Sequence, residues 1–295
     1  MALTINTNIS SMVAQQNLAK ATGALNKAIE RMTTGYKINH AGDNAAGYSI
    51  ARNWETQLGS LDVAADNAAT GADMMTTLED HYALVSSHLQ RVRDLTEQAA
   101  NGTYGSASLA AIKSEVTARL EEIDRISKNC EFNGLHLMDG SMSAIKLQVG
   151  LYSSTDSQIE LKADLFKKGD VGTLFKTYSA GDNGTTTDAD LDTIAKVATK
   201  CTGADAASML NKIDNVINEI SNRTTTLGAA QNRIDSAIES IAVQSENITS
   251  SLSTLRDADV AKESSNYIQA QILQQAAATL LATANQTPSI ALNLL

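Results

Sequence analysis

The 295-residue chain carries 33 acidic against 23 basic side chains, a net charge of -10, which leaves no basic footprint for a nucleic-acid partner. Aromatic residues make up 4% of it and its one proline is Pro288, so long helices can run unbroken and their seams must be thin and aliphatic. Its two cysteines, Cys130 and Cys201, are too few for a disulfide framework and lack zinc-ligand spacing; two free thiols is the simpler reading and one disulfide between them the other.

The N-terminal stretch has no basic segment followed by an apolar one, which predicts no cleaved Sec-type signal peptide. Ile5, Ile9 and Met12, then in a shifted register Leu18, Thr22, Leu25, Ile29, Met32 and Tyr36, predict a first helix with a stutter-like offset. It breaks at Gly42-Asp43-Asn44, where Asp43 or Asn44 can cap the next helix. That helix carries Trp54, Leu58, Leu61, Ala65, Ala68, Ala72 and Met75, then Leu78, His81, Val85, His88, Val92, Leu95 and Ala99, and stops at Asn101-Gly102. A third stripe runs through Leu109, Ile112, Val116, Arg119, Ile123, Ile126 and Cys130 to a turn at Phe132-Asn133-Gly134.

There the period falls from about 3.5 to about 2. Ile145, Leu147 and Val149 alternate with polar residues, as do Ile159, Leu161 and Ala163, which predicts a β-hairpin. Residues 167–204, rich in Gly, Asp and Thr, read as a surface excursion with one short amphipathic piece at 191–197. The longest repeat follows: Leu210, Ile213, Ile217, Ile220, Thr224, Leu227, Gln231, Ile234, Ile238, Ile241, Ser245, Ile248, Leu252 and Leu255, all aliphatic except Thr224, Gln231 and Ser245. An unbroken 3-4 repeat of this length predicts a helix of about 70 Å whose seam faces partner helices.

The tail is of another kind. Residues 264–295 contain no Asp, Glu, Lys or Arg, and Ile268, Ile272, Ala276, Leu280 and Ala284, flanked by Leu273, Ala277 and Leu281, form one broad face among glutamines. Such a helix lacks the charge to stay soluble alone and the large apolar surface to fold alone, so it predicts ordering against copies of itself or a partner. The longest apolar run, 276–284, is far short of the ~20 residues that cross a membrane. Rigid helices with sticky ends describe a subunit whose repeated, non-closing contacts build a helical filament.

Candidate chemical sites are few. His81 and His88 share a helical face but stand ~10 Å apart, too far to hold one ion. Asp188, Asp190 and Asp192 lack the glycine and distal glutamate of a calcium loop, and Gly42 to Gly47 fits no phosphate-binding pattern. No metalloprotease, nucleophile-elbow or Cys-His arrangement is present in the sequence. The expectation is therefore no enzyme, no metal and no cofactor.

At the ends, the chain resembles bacterial flagellin. The resemblance is carried by Ile5-Asn6-Thr7-Asn8, Ala28-Ile29-Glu30-Arg31, Asp43 to Gly47, Leu89-Gln90-Arg91-Val92-Arg93, Ala100-Asn101-Gly102-Thr103 and Glu121-Glu122-Ile123-Asp124-Arg125-Ile126 in the first half. In the second half it is carried by Leu227-Gly228-Ala229-Ala230-Gln231-Asn232-Arg233, Asp257-Ala258-Asp259, Ala270 to Ala276 and Ala284-Asn285-Gln286. It implies a mainly α fold: a long helical hairpin or coiled-coil rod with a small β-hairpin and paired N- and C-terminal helices. The implied organisation is an inner-tube helix at 1–43, outer-tube helices at 44–135, a hairpin region at 136–166, a short variable surface region at 167–205, the long outer-tube helix at 206–255 and a second inner-tube helix at 256–295.

The resemblance further implies polymerisation into an extracellular flagellar filament for swimming, after type III export. Ile5, Ile9, Leu18, Leu25, Ile29, Ile268, Ile272, Leu273, Leu280 and Leu281 would then be the polymerising residues. Its implied partners are further copies, an export chaperone on the C-terminal helix, the filament cap, the hook-filament junction proteins and the host Toll-like receptor five. For that receptor the matching positions are Gln90, Arg91, Leu95 and Glu115, with Asp94 where the family's motif has glutamate. Exposed Ser153, Ser154, Thr155 or Thr185 to Thr187 are the places for the family's O-linked glycans. Two rival readings share the sequence features: a minor axial protein such as a hook-filament junction subunit, and a secreted membrane-active helical protein, which the lack of basic residues in the tail disfavours.

Overall fold

The computed structural model describes residues 7–176 and 193–292, with side chains as far as Gln286. Ile5, Thr185 to Thr187 and Asp188, Asp190 and Asp192 lie outside the described residues. The helices are α1 (Ile9–Thr34), α2 (Ala45–Ala100), α3 (Ser106–Asn129), α4 (Val171–Lys176), α5 (Ile194–Lys200), α6 (Ala206–Arg256) and α7 (Val260–Leu292). The strands are β1 (Glu131–Phe132), β2 (Leu135–His136), β3 (Ile145–Gln148) and β4 (Gln158–Leu161). The chain divides into two compact units, Ser60–Gln244 and Met1–Gly59 with Ser245–Leu295.

The unit Ser60–Gln244 holds a thick aliphatic core. Leu78, Tyr82, Val85, Leu89 and Val92 of α2, Val116, Leu120 and Ile123 of α3, and Ile213, Val216, Ile220, Leu227 and Ile234 of α6 are buried in one cluster. Antiparallel α2 and α6 are tied at their rims by Arg93 to Asp214 (2.6 Å) and Gln231 to Glu79 (2.8 Å). The buried stripe of α6 steps through Met209, Ile213, Val216, Ile220, Arg223, Leu227, Ala230 and Ile234. Half of the predicted seam thus lies one position off: Leu210, Ile217 and Ile238 are only partly buried, while Met209, Val216 and Arg223 are inside. On α2 the same offset places Tyr82 and Leu89 inside and leaves His81 and His88 at the margin.

The predicted hairpin is β3 with β4, antiparallel with Ile145 opposite Leu161 and Leu147 opposite Ile159. It packs on α2 at Gly71, where any Cβ would collide with Leu147. β1 and β2 form a two-residue-loop hairpin through Asn133 (φ 50) and Gly134 (φ 81), the left-handed pair that an Asn-Gly turn supplies. The surface excursion predicted for 167–204 fails at both its ends: Val171, Leu174, Phe175, Val197, Ala198 and Cys201 are buried in the core. There α4 and α5 pack on α3. Cys130 and Cys201 are free and buried, and burial pushes their thiols up to about 12 and about 11, so both stay protonated and inert at neutral pH.

The second unit pairs α1 with α7 in antiparallel register. Asn8 Nδ2 donates to the Ala284 carbonyl (2.7 Å), Gln274 Nε2 to the Thr22 hydroxyl (3.1 Å), and the Arg31 guanidinium to Glu263 (3.1 Å). The buried side chains between them are Ala14, Ala21 and Ala28 against Glu263, Ala270 and Ala277, each seven residues apart. Small side chains let the two backbones come close, with Cα atoms repeatedly within 8 Å. Asn8 caps α1, and Gly35 (φ 75) ends it. Asn44 rather than Asp43 caps α2, accepting the Gly47 N–H at 3.0 Å. Asp43 instead accepts from the Asn39 and His40 N–H groups and pairs with Lys27 at 2.6 Å. Asp259 caps α7 through the Ala261 N–H (2.9 Å).

Candidate assembly surfaces

The alanine seam fixes which faces of α1 and α7 are left over. With Ala14, Ala21 and Ala28 turned to α7, the larger Ile9, Met12, Val13 and Ile29 are exposed, while Leu18 and Leu25 border the seam half-buried. On α7, Tyr267, Ala270, Gln274, Ala277 and Leu281 follow the seam, and Ile268, Ile272, Leu273 and Leu280 stand outside it; Ile272 is 60% and Leu280 64% exposed. At ~100° per residue, Ile268 and Ile272 lie almost opposite the paired face and Leu273 and Leu280 on its flank. A monomer that spends alanines on internal pairing and keeps its isoleucines and leucines in water presents a surface suited to burial by another chain.

The turn region of this unit is pinned by main chain and charge. Lys37 N–H donates to the Arg256 carbonyl (2.7 Å) and Ala258 N–H to the Gly35 carbonyl (2.8 Å). The Arg256 guanidinium lies 4.0 Å over the Tyr36 ring and pairs with Glu55, which also takes Arg52 at 2.9 Å. The Arg52 hydrogen bond is the main reason the Glu55 carboxyl titrates below its usual range. These contacts fix where α1 leaves α2 and where α6 hands over to α7.

In the other unit, the residues matched to a receptor motif do not form one surface. Gln90 and Arg91 are exposed, and Arg91 meets Glu115 of α3 through two nitrogens at 2.9 Å. Leu95, 2% exposed, is a core residue, so its expected surface contact is corrected: it holds α2 against its neighbours and offers nothing to a partner.

A buried arginine was missed by pattern. Arg223 sits in the α6 stripe, donates to Glu219 (3.0 Å) and reaches the Lys168 carbonyl (3.1 Å), while the buried Tyr82 hydroxyl donates to the Leu165 carbonyl (3.1 Å). Together they fasten the strand-to-α4 loop. The only sequence signal was an arginine at the position where a 4-3 step would place a core residue. Among the described residues no group of three or more His, Cys, Asp or Glu could hold a metal, and no helix is long and apolar enough to cross a membrane.

Comparison with known proteins matches both ends. The family model for the bacterial flagellin N-terminal helical region covers residues 5–143, and that for the bacterial flagellin C-terminal helical region covers 210–295. The chain is 35% identical to flagellin of Bacillus subtilis, with 99% of each chain covered, and 31% identical to polar flagellin F of Vibrio parahaemolyticus, with 100% of each covered. A solved structure of a putative flagellar hook-associated protein from Vibrio parahaemolyticus shares the fold with a TM-score of 0.58 at 14% identity, over 73% of this chain and 100% of that one.

Proposed function

Because the chain belongs to the bacterial flagellin family and is therefore a structural subunit of the flagellar filament rather than an enzyme, we propose that it polymerises through the outward faces of α1 and α7 into an extracellular filament that serves swimming. The observation that carries this reading is the pairing of α1 with α7 through alanines, which leaves Ile9, Ile29, Ile268, Ile272, Leu273 and Leu280 in solvent. Each still exposes between 44% and 68% of its surface, so its burial would favour association by about 1 kcal/mol. Leu18 and Leu25 of α1 and Leu281 of α7 serve from the border of the seam.

The charge-free stretch of α7 is the natural hold for an export chaperone before assembly, since that surface is the one a free subunit must keep from aggregating. The filament cap and hook-filament junction proteins would meet the same helix ends, and type III export would deliver the chain. Host Toll-like receptor five would read Gln90, Arg91 and Glu115 on the depolymerised chain. A receptor reporter assay checks this: Arg91→Ala should weaken the response, and an unchanged response would count against it.

Deletion of residues 264–295 tests the assembly reading. Expressed in a flagellin-deficient cell, the full chain should give filaments and swimming, and the shortened chain neither. Long filaments from the shortened chain would overturn it.

A further inference from the structure

Beside the α1–α2 turn, within the unit that carries the terminal helices, lies an open groove of about 480 Å3. Ile38, Trp54 and Leu255 give it an apolar lining, and Ser250, Ser251 and Thr254 of α6 contribute hydroxyl groups. Lys37, the charged residue of the lining, has its ammonium directed to the Thr254 carbonyl at 2.8 Å. The Ser250 and Ser251 hydroxyls make no hydrogen bond among the described residues, and both residues are exposed. The groove thus asks for a ligand with a small aliphatic body, no charge, and neutral hydrogen-bonding groups beside it.

The outward face of α7 has that composition. Ile268 and Ile272 form a short aliphatic ridge opposite the alanine seam, flanked by the exposed glutamines Gln271 and Gln275. No charged residue occurs from 264 onward. The outward face of α1 is a poorer match, since exposed Lys20 and Lys27 and partly exposed Glu30 interrupt it. The ridge points away from α1 of its own chain and stands in solvent, where a second copy can reach it.

We propose that the Trp54 groove is the socket for the Ile268–Ile272 ridge of a neighbouring copy, with Gln271 or Gln275 bonding the Ser250 and Ser251 hydroxyls. Ridge and socket are different surfaces of one chain, so the contact is heterologous, the kind that builds an open helical array when the rotation between copies does not close. The proposal rests on the self-assembly reading above and adds to it the site at which one terminal helix is received.

Trp54 is the only tryptophan, which makes its fluorescence a direct report of the socket. On assembly of the unmodified chain its emission should shift to the blue and its quenching by acrylamide fall severalfold. A chain carrying Ser251→Cys and Ile272→Cys, oxidised after assembly, should give a covalent ladder of multimers, and none when oxidised as monomer. The two natural thiols are buried and do not compete. Filaments with unchanged Trp54 emission, or a shifted emission without a ladder, overturn the socket while leaving self-assembly standing. Failure of the unmodified chain to assemble overturns both.

Discussion

The two units use one repeat for opposite ends. In Ser60–Gln244 the 3-4 positions hold mostly Leu, Ile, Val and Met and are sealed inside; in the unit of α1 and α7 the buried ones are alanines and Glu263, alternating with half-buried residues such as Leu18, Leu25, Gln274 and Leu281, while Ile9, Ile29, Ile268, Ile272, Leu273 and Leu280 sit on the other faces. Burying a leucine gives ~1.5–3 kcal/mol and burying an alanine far less. The first unit therefore keeps its stabilising surface for itself, whereas the second leaves much of it in solvent.

The largest effect that distinguishes them is a leucine truncation in each. Leu120→Ala, inside the core, should lower the stability of its unit by about 2–5 kcal/mol, read as a drop in the denaturant midpoint. Leu280→Ala, at 64% exposure, should leave the monomer's unfolding within about 0.5 kcal/mol of the original but raise the concentration needed for filaments, read by sedimentation. Equal destabilisation of the monomer by both would erase the contrast.

Enlarging the alanine seam is the converse test. Ala277 is buried between α1 and α7, and Ala277→Leu has no space without driving the helices apart, a cost of about 1–3 kcal/mol. Hydrogen exchange should then speed up in α1 and α7 and stay unchanged along α3. A silent substitution would mean that the close approach of the two backbones is not enforced by side-chain size.

Much of this was legible in the sequence, and the misses share a cause. The period change before Ile145 marked the hairpin, and Ile213, Ile220, Leu227 and Ile234 were recognisable as α6 core. At the alternate positions the pattern favours Leu210, Ile217 and Thr224, whereas the structure uses Met209, Val216 and Arg223. A 3-4 step and a 4-3 step through the same anchor residues differ by one position, and choosing the more aliphatic candidate favours the wrong one where the core is lined by methionine, valine or a bonded arginine. Gly- and Thr-rich composition over 167–204 likewise hid Val171, Leu174 and Phe175, because a six-residue helix is too short to show a period. On α7 the large residues Ile268, Ile272, Leu273 and Leu280 stand in solvent, and the pairing face, whose buried positions are Glu263, Ala270 and Ala277, carries no signal of large apolar side chains.

Arg223 sharpens the point that the sealed unit depends on polar fastening as well as apolar burial. Its guanidinium serves Glu219 and the Lys168 carbonyl, so Arg223→Ala takes the arginine donor from that carbonyl and one of the partners from Glu219, worth roughly 1–3 kcal/mol. Tyr82→Phe removes one hydrogen bond to Leu165 and should cost about 0.5–1.5 kcal/mol. Thermal unfolding of the two variants should rank them in that order.

The smallest effect is specific to the unit of terminal helices and appears only in acid. The hydrogen bond from Lys27 holds the Asp43 carboxyl at about 2, against partial burial that acts the other way; an unfolded aspartate titrates near ~3.9. Because the unfolded chain takes up this proton first, the clasp contributes its full stability above about pH 4 and loses it as the pH falls towards about 2. Exchange protection at the C-terminal end of α1, next to Lys27, should therefore decline across that window. Asp43→Asn should remove the decline by removing the titration, with protection already reduced at neutral pH, while amides of α3 keep the same acid response in both chains.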